Sequence, residues 1–391
     1  MPERLGLSLE RDDEVIREEI ERICADFPDT YWQSLEEGGD YPSAFVDRLT
    51  SLGWLSILIP EEYGGGGRGI TSAAVVLEAI HRSGGNANAC HAQMYTMATV
   101  LRHGSTELKQ RFLPEIAGGR LRLQAFAITE PNAGSDTTKI STRAVPSGDG
   151  YLVSGEKVYI SRVEYSDLML LLARTGDVDG ASKRGAGLSV FLVDLRDAKP
   201  GTITWRRIPT TFNHHTYQVF FDELHVQESQ LVGTEGEGFK YILESMNAER
   251  ILIASEAIGD GHYFVDRAAK YSRERIVFGQ PIGANQGVQF PVAQAYAQVH
   301  AASLARFQAA AMFDAGVSCG QEANAAKLLA SQASWAAANA AVTTFGGNAF
   351  ATEYGIERKF REAKLLEIAP VSNNLVLSYL GAHVLGMPRS Y

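Results

Sequence analysis

The sequence predicts a mainly α-helical protein with a central antiparallel β domain, in the order helical domain, β domain, helical bundle. Two changes of texture indicate this order. Apolar residues at helical spacing give way near residue 121 to short β-branched runs, and long alanine-rich helical runs follow residue 236. Since 391 residues exceed the roughly 100–200 of a usual domain, we expect domains at residues 1–120, 121–235 and 236–391.

The first domain is predicted from amphipathic helical runs. Apolar residues recur at helical spacing over residues 12–23, with charged residues between them. A short helix is expected after Pro42. Glycine and proline clusters then separate three further predicted helices, which cover residues 71–81, 88–101 and 107–116.

The middle domain is predicted from short apolar runs that turn residues separate. Such runs are typical of antiparallel strands, and they cover residues 124–129, 151–160, 168–173, 188–193, 202–206 and 217–221. The glycines at 185 and 187 are expected in a polar loop and not in a phosphate loop, because no helix follows them. The last domain is then predicted as an antiparallel bundle, with helices over residues 241–271, 286–315, 322–344 and 371–385.

Charge and composition exclude several classes of function. A net charge of −10 argues against a general affinity for nucleic acid or for anionic lipid. The N-terminus lacks an apolar signal core and no apolar run is long enough to span a bilayer, so a cytoplasmic protein without membrane contact is expected. The three cysteines are far apart and His214-His215 has no partner ligands at metal-binding spacing, so no disulfide framework or metal site is predicted.

Several motifs resemble those of the acyl-CoA dehydrogenase family. The segment 126–136, FAITEPNAGSD, resembles the family signature, an aromatic run into TEPGAGSD. Segments 59–65, 155–161, 275–286 and 345–348 are similar to further family blocks, occur in the family order and cover nearly the whole chain. The resemblance implies a homotetramer of three-domain subunits with FAD at a subunit interface. It also implies an acyl-CoA substrate that is oxidised to the 2,3-enoyl-CoA, with electrons passed to an electron-transfer flavoprotein.

The same resemblance implies which residues contact the cofactor. Thr129 would bond the pyrimidine end of the flavin from the 126–129 strand, Ser161 would lie near N5, and Arg275 would pair with the pyrophosphate. Thr343 stands where relatives often have glutamine, and Tyr159 where most have tryptophan; Tyr159 could equally be a core aromatic. The full expected set is Phe126, Ile128, Thr129, Ser135, Tyr159, Ser161, Arg275, Phe278, Gln286, Thr343, Gly346, Gly347, Ser372 and Asn374. Ser135 would lie at the flavin phosphate or at the thioester.

The catalytic glutamate is not where most relatives have it. In those relatives it follows an RxAK motif, and here the corresponding position after Arg361-Glu362-Ala363-Lys364 is Pro370. A family branch that includes isovaleryl-CoA and long-chain dehydrogenases has its glutamate earlier, directly before an arginine. Glu249 and Arg250 match that pattern, so Glu249 is the expected base and Arg250 is expected near the CoA cleft. A solvated Glu–Arg pair, and Glu367 as the base, are the alternatives.

Pro370 also removes a backbone N–H that relatives use to bind the thioester oxygen. The flavin ribityl hydroxyl alone, or another amide such as that of Val371, would have to replace it. Two other functions therefore stay open. One is different flavin chemistry on the same fold, such as an oxidase, a monooxygenase or an elimination. The other is a non-catalytic FAD- or acyl-binding paralogue.

Overall fold

The computed structural model describes residues 11–176 and 185–389. Its helices are α1 Arg11–Ala25, α2 Asp29–Gly38, α3 Ser43–Ser51, α4 Ile70–Arg82, α5 Asn88–His103, α6 Thr106–Ala117, α7 Gly238–Glu274, α8 Gln286–Asp314, α9 Gly320–Phe345, α10 Ile356–Leu365 and α11 Asn373–Tyr379. Its strands are β1 Leu123–Ala127, β2 Arg143–Ser147, β3 Gly150–Ser161, β4 Leu168–Arg174, β5 Leu188–Asp194, β6 Ile203–Ile208, β7 Thr216–Gln227, β8 Leu231–Val232, β9 Ile276–Val277 and β10 Gln280–Pro281.

The predicted order of helices, sheet and helices is confirmed. Two compact units are distinguished within the described residues. The bundle unit takes its residues from Met1–Asp40, Gly69–Ala87 and Asn247–Tyr391, and the sheet unit from Tyr41–Arg68 and Asn88–Met246. The predicted boundaries at residues 120 and 235 stay predictions.

In the sheet unit, the main sheet has the strand order β6-β7-β3-β2-β4-β5-β8, and β1 pairs with β4. Strand β4 runs parallel to β1 and β2, whereas the other neighbours along this order pair antiparallel. Every residue of β4 is buried because both faces are covered. Leu170 packs in a cluster with Phe112 of α6, and the next residue, Leu171, packs in a second cluster with Tyr217 of β7. The alternation of strand side chains thus supplies two cores.

In the bundle unit, close helix contacts depend on small residues. A Cβ atom at Gly259 of α7 would lie 2.4 Å from the carbonyl oxygen of Glu78 in α4, and one at Gly261 would lie 2.5 Å from Val299 in α8. Larger residues would therefore force these helices apart. Alanines of α9 are buried throughout the helix in the same way. The long alanine-rich runs of the sequence are thus explained by close packing.

Some elements differ from the predicted ones. Helix α11 ends at Tyr379, and the predicted helical run to residue 385 continues only as a π-type turn over Leu380–Val384. Helices α2 and α10 and strands β2, β8, β9 and β10 were not predicted. Cys24, Cys90 and Cys319 are all buried thiols. None of the helices within the described residues is both long and apolar enough to cross a membrane.

Candidate active site

In the sheet unit, two of the motif segments lie side by side. Tyr159 and Ser161 belong to β3, and Thr129 follows β1. The backbone amide of Val158 donates a hydrogen bond of 2.9 Å to the carbonyl oxygen of Thr129. Tyr159 is 64% exposed, which contradicts its alternative interpretation as a core aromatic. The fold therefore brings Thr129, Tyr159 and Ser161 to neighbouring stretches of backbone.

A buried ion pair holds these two segments together. Lys157 Nζ lies 2.9 Å from Glu130 Oε1 and donates a hydrogen bond of 2.8 Å to the carbonyl oxygen of Ile128. Glu130 also accepts from the backbone amides of Ser141 at 2.7 Å and Thr142 at 2.9 Å. The acid belongs to the first motif and the lysine to the second. Their pairing explains how two motifs so far apart in sequence form one surface.

Both members of this pair are ionised at neutral pH. Burial alone would raise the pKa of Glu130, but Lys157 and the donors around the carboxylate lower that pKa to about 2. Burial lowers the pKa of Lys157 to about 8, because the attraction of Glu130 only partly opposes the loss of hydration. Glu130 and Lys157 both lie inside recognisable motifs of the sequence. Their opposite charges were the signal from which an ion pair between the two motifs could have been predicted.

Three residues other than glycine have positive φ angles around the end of β3. The values are 59° at Tyr159, 61° at Arg162 and 51° at His215, a region that side chains larger than glycine disfavour. The amide of Arg162 donates a hydrogen bond of 2.7 Å to the carbonyl oxygen of His215, which joins the strand to the loop before β7. Such strain is often found at functional sites, where the surrounding structure maintains it.

The same loop places a histidine beside Ser161. His214 Nε2 lies 3.1 Å from Ser161 Oγ, and His214 Nδ1 lies 3.1 Å from Asn88 Nδ2 of α5. From the sequence, His214 is predicted not to bind a metal, and Asn88 is predicted only as the first residue of a helix. The two contacts join residues far apart in sequence, so no local pattern indicated them.

The remaining predicted residues of the sheet unit lie at its surface or half-buried. Phe126 packs edge-on against Tyr95 of α5, with ring centroids 5.1 Å apart, and Tyr95 packs in turn against His91 at 4.8 Å. Ile128 is half-buried, and its carbonyl accepts from Lys157. Ser135 is exposed next to Gly134, where an added Cβ would meet nothing within 4 Å. Backbone at this turn is therefore open to a ligand.

In the bundle unit, Glu249 is only 4% exposed. The alternative of a solvated Glu–Arg pair therefore does not describe this residue. Arg250 Nη1 donates a hydrogen bond of 3.1 Å to Asn247 Oδ1, whereas Arg250 Nε is buried without a hydrogen-bond partner among the described residues. Burial lowers the pKa of Arg250, and the Glu249 carboxylate opposes that shift. A buried guanidinium with an unused donor is suited to a polar or anionic ligand.

A buried lysine of α9, Lys327, interacts both with the segment after α10 and, through its charge, with Arg250 of α7. Lys327 Nζ of α9 donates a hydrogen bond of 2.8 Å to Asn373 Oδ1. Burial lowers the pKa of Lys327 to about 8, with Glu367 opposing the shift and Arg250 adding to it. Glu367 also forms an ion pair with Lys364.

Ser372 and Asn374, the two predicted residues of this segment, are placed differently. The Ser372 hydroxyl accepts from the Leu375 amide at the start of α11, at 3.4 Å, which gives Ser372 a capping role. Asn374 is exposed. The Ala369–Pro370 peptide bond that precedes them is cis.

Other predicted residues of the bundle unit are exposed. Arg275 directly precedes β9, and Phe278, in the turn between β9 and β10, is fully exposed. Gln286, at the start of α8, and Thr343, near the end of α9, are exposed as well. Gly346 has a φ of 60°, and no atom would lie within 4 Å of a Cβ at Gly346 or at Gly347.

These residues fit the FAD that the motifs imply. The sheet unit offers an exposed ring at Tyr159 beside the hydroxyls of Thr129 and Ser161. The bundle unit offers an exposed guanidinium at Arg275 and open glycine backbone at Gly346, which suit phosphate oxygens. Within residues 11–176 and 185–389, no group of three or more His, Cys, Asp or Glu side chains is arranged to hold a metal ion.

Comparison with known families agrees with the motifs. The chain matches the acyl-CoA dehydrogenase N-terminal domain at residues 10–120, the middle domain at residues 125–226 and the C-terminal domain at residues 236–384. Together these matches account for most of its length.

Individual proteins are similar over the same length. Acyl-CoA dehydrogenase FadE12 of Mycobacterium tuberculosis is 33% identical over 381 residues, 97% of each chain. Cyclohex-1-ene-1-carbonyl-CoA dehydrogenase of Syntrophus aciditrophicus is 34% identical over 361 residues, 90% of this chain and 84% of the relative. The solved glutaryl-coenzyme A dehydrogenase glutaryl-CoA complex matches with a TM-score of 0.92 and 28% identity, covering 99% and 98% of the two chains. This protein therefore belongs to the acyl-CoA dehydrogenase family.

Proposed function

We propose that this chain is an FAD-dependent dehydrogenase of acyl-CoA thioesters that uses Glu249 as its base and forms the 2,3-enoyl-CoA. The burial of Glu249, directly before Arg250, is the observation that carries the proposal. Pro370 occupies the position where most relatives have their glutamate, and proline cannot accept a proton. A carboxylate shielded from water is a stronger base than a solvated one, as removal of a proton α to a thioester requires.

Each proposed residue has a distinct role. The Glu249 carboxylate accepts the α-proton, and the unused Arg250 Nε is available to a polar group of the substrate. The proposed cofactor, FAD, supplies the hydride acceptor for the β-carbon when it is bound. Thr129 and Ser161 contribute hydroxyls and Tyr159 an aromatic face toward the flavin ring, while Arg275 offers its guanidinium to the pyrophosphate.

The remaining members of the proposed site are taken from the family resemblance, with Thr343 standing where relatives often have glutamine. They contribute backbone or side-chain contacts to the cofactor, and they are Phe126, Ile128, Ser135, Phe278, Gln286, Thr343, Gly346, Gly347, Ser372 and Asn374. Pro370 offers no N–H to the thioester oxygen. Another donor must bind that oxygen as negative charge develops on it, since losing one such donor costs about 3–4 kcal/mol.

We also propose self-association, as a homotetramer, through the exposed apolar surface of the bundle unit. Phe278, Phe290 and Tyr296 are each more than half exposed. Exposed aromatic side chains of this size are common where another protein covers a surface. An electron-transfer flavoprotein is the proposed electron acceptor, and the cytoplasm the proposed location.

The substitution Glu249→Gln tests the base. Under anaerobic conditions, the wild-type protein with bound flavin should bleach on addition of an acyl-CoA, and the rate in E249Q should fall by about 10²–10⁴-fold. E367Q is the matched control, because Glu367 is the acid nearest in sequence to the lost position; its rate should stay close to that of wild type. An E249Q protein that bleaches at the wild-type rate would refute the assignment.

A panel of acyl-CoA thioesters in the same assay separates the remaining functions. Bleaching without oxygen, followed by reoxidation only with an added electron acceptor, identifies a dehydrogenase. Rapid reoxidation in air would identify an oxidase. Bound flavin that no thioester bleaches would indicate a non-catalytic paralogue.

A further inference from the structure

Ser161, His214 and Asn88 form a hydrogen-bonded chain within the sheet unit. His214 lies between the other two, with Nε2 at 3.1 Å from Ser161 Oγ and Nδ1 at 3.1 Å from Asn88 Nδ2. All three side chains are half-buried. We refer to these residues as the Ser161–His214–Asn88 chain.

The contact with Asn88 determines which ring nitrogen of His214 carries the proton. With the Asn88 amide oriented so that Nδ2 faces the ring, Nδ2 can only donate, so His214 Nδ1 accepts and is unprotonated. In the neutral ring the proton is then on Nε2, which donates to Ser161 Oγ. One lone pair of Ser161 Oγ is occupied in this way, and its own hydroxyl proton is directed elsewhere.

This polarity excludes a different interpretation of the three residues. In a serine or cysteine hydrolase the histidine accepts a proton from the nucleophile, and its third residue accepts from the other ring nitrogen. Here both directions are reversed, because Asn88 donates to Nδ1 and Nε2 donates to the serine. The chain therefore orients the serine hydroxyl and does not activate it as a nucleophile.

The backbone around His214 keeps the imidazole in place. Phe212 packs edge-on against the His214 ring, with centroids 5.2 Å apart. Thr216 pairs with Ser161 in the register of β7 and β3, and His215 has a φ of 51°. The strained residue thus turns the loop so that its neighbour, His214, reaches the end of β3.

We propose that His214 is a positioning residue of the dehydrogenase, which orients the Ser161 hydroxyl toward the flavin edge under the control of Asn88. This inference rests on the proposed function, because it assumes that Ser161 faces the flavin. His214 acts through Ser161 and is not itself the base. A hydroxyl with one fixed acceptor position loses less conformational freedom when it binds, so the site is pre-organised.

Substitution of His214 tests the role. H214F keeps a ring of similar size without nitrogen atoms, and H214Q places an amide N–H near the position of Nε2. Anaerobic bleaching by acyl-CoA should slow about tenfold in H214F, the size of one hydrogen bond, and recover to within about twofold of wild type in H214Q. Flavin affinity should show the same order, measured as retained absorbance on dilution. If H214F binds flavin and bleaches like wild type, the proposal is overturned.

A double-mutant cycle separates positioning from a general structural effect. If His214 acts through Ser161, H214F should have no further effect in an S161A background. An equal slowing in both backgrounds would overturn the proposal. Thermal unfolding of each variant gives the structural contribution independently.

The tautomer of His214 is measured without substrate. Nitrogen-15 spectra of histidine-labelled protein, with the signal assigned by its loss in H214Q, should show a proton on Nε2 in wild type. In N88D, whose carboxylate can only accept, the proton should appear on Nδ1. A wild-type protein protonated on Nδ1 overturns the inference even if acyl-CoA dehydrogenation is established. Failure of the wild-type flavin to bleach would instead refute the proposed function.

Discussion

The sheet unit and the bundle unit each bury a lysine completely, but they compensate its charge differently. Lys157, in the second of the two motif segments, has one carboxylate partner, Glu130 at 2.9 Å. Lys359 of α10 has two, Asp260 at 2.5 Å and Glu362 at 2.9 Å. Neither lysine has any exposed surface.

The pKa values of the two lysines show what the second carboxylate does. Burial lowers the pKa of Lys157 to about 8, because one carboxylate does not offset the lost hydration. Burial acts on Lys359 in the same direction, but Asp260 and Glu362 together outweigh it and raise the pKa. In the sheet unit the attraction of one carboxylate does not fully offset the lost hydration of Lys157. In the bundle unit two carboxylates more than offset it, so Lys359 stays protonated to higher pH.

The largest expected effect follows from removing Lys359. K359M leaves two buried carboxylates with less positive charge beside them, and should lower the free energy of unfolding by about 3–5 kcal/mol. K157M should cost less, about 1–3 kcal/mol, because Glu130 keeps the amide donors of Ser141 and Thr142. Urea unfolding of both variants gives the comparison.

A second substitution serves as the control for the larger effect. K359M/E362Q removes the charge of one stranded carboxylate, and it should be more stable than K359M alone. If K157M proved the more destabilising single change, the number of carboxylate partners would not explain the difference between the two units.

Acid should weaken the bundle unit through Glu362. Burial alone would raise the pKa of Glu362, but Lys359 and Arg358 lower it from 4.5 to about 2. The folded state therefore releases the proton more readily than the unfolded state. The stabilisation is complete above pH 4.5 and is lost as the pH falls toward 2, by about 3 kcal/mol in total.

Unfolding midpoints between pH 5 and pH 3 measure this contribution. The midpoint of wild type should fall more steeply than that of E362Q. E353Q, at an exposed glutamate, should keep the wild-type slope. Parallel slopes for wild type and E362Q would contradict the assigned cause.

The sequence predicted the long helices of the bundle unit. The run 241–271 corresponds to α7, Gly238–Glu274, and the run 286–315 to α8, Gln286–Asp314. Helix α2 is only ten residues long and Trp32 is its only fully buried residue, so the sequence offered no long apolar run there. Strand β2 was missed for a similar reason, since only Ala144 is buried in it.

The site shows the same limit. Motif residues such as Thr129 and Tyr159 were predicted because each lies within a recognisable segment. Asn88 and His214 are 126 positions apart, and the fold alone brings them together. The hydrogen-bonded role of His214 depends on a loop whose strained residue, His215, has no sequence signature.

A third buried lysine, Lys327, extends the comparison to a lysine without a close carboxylate partner. Lys327 in the bundle unit is fully buried like the other two, but the partner of its ammonium is an amide oxygen, that of Asn373 at 2.8 Å. Glu367 attracts it and Arg250 repels it. K327M should therefore change the free energy of unfolding by less than about 1 kcal/mol, because no close carboxylate is stranded and Asn373 still accepts from Ser331.

The free energy of unfolding should fall most in K359M, less in K157M and least in K327M. Urea titration of the three variants measures this order. None of the three lysines has exposed surface, so the cost of deleting each one should follow the carboxylates that lose it. K327M should also remove a positive charge near Arg250, and acyl-CoA binding is the sensitive measurement of that change. A K327M protein as unstable as K359M would show that packing of the aliphatic stem, and not the stranded acid, determines the loss.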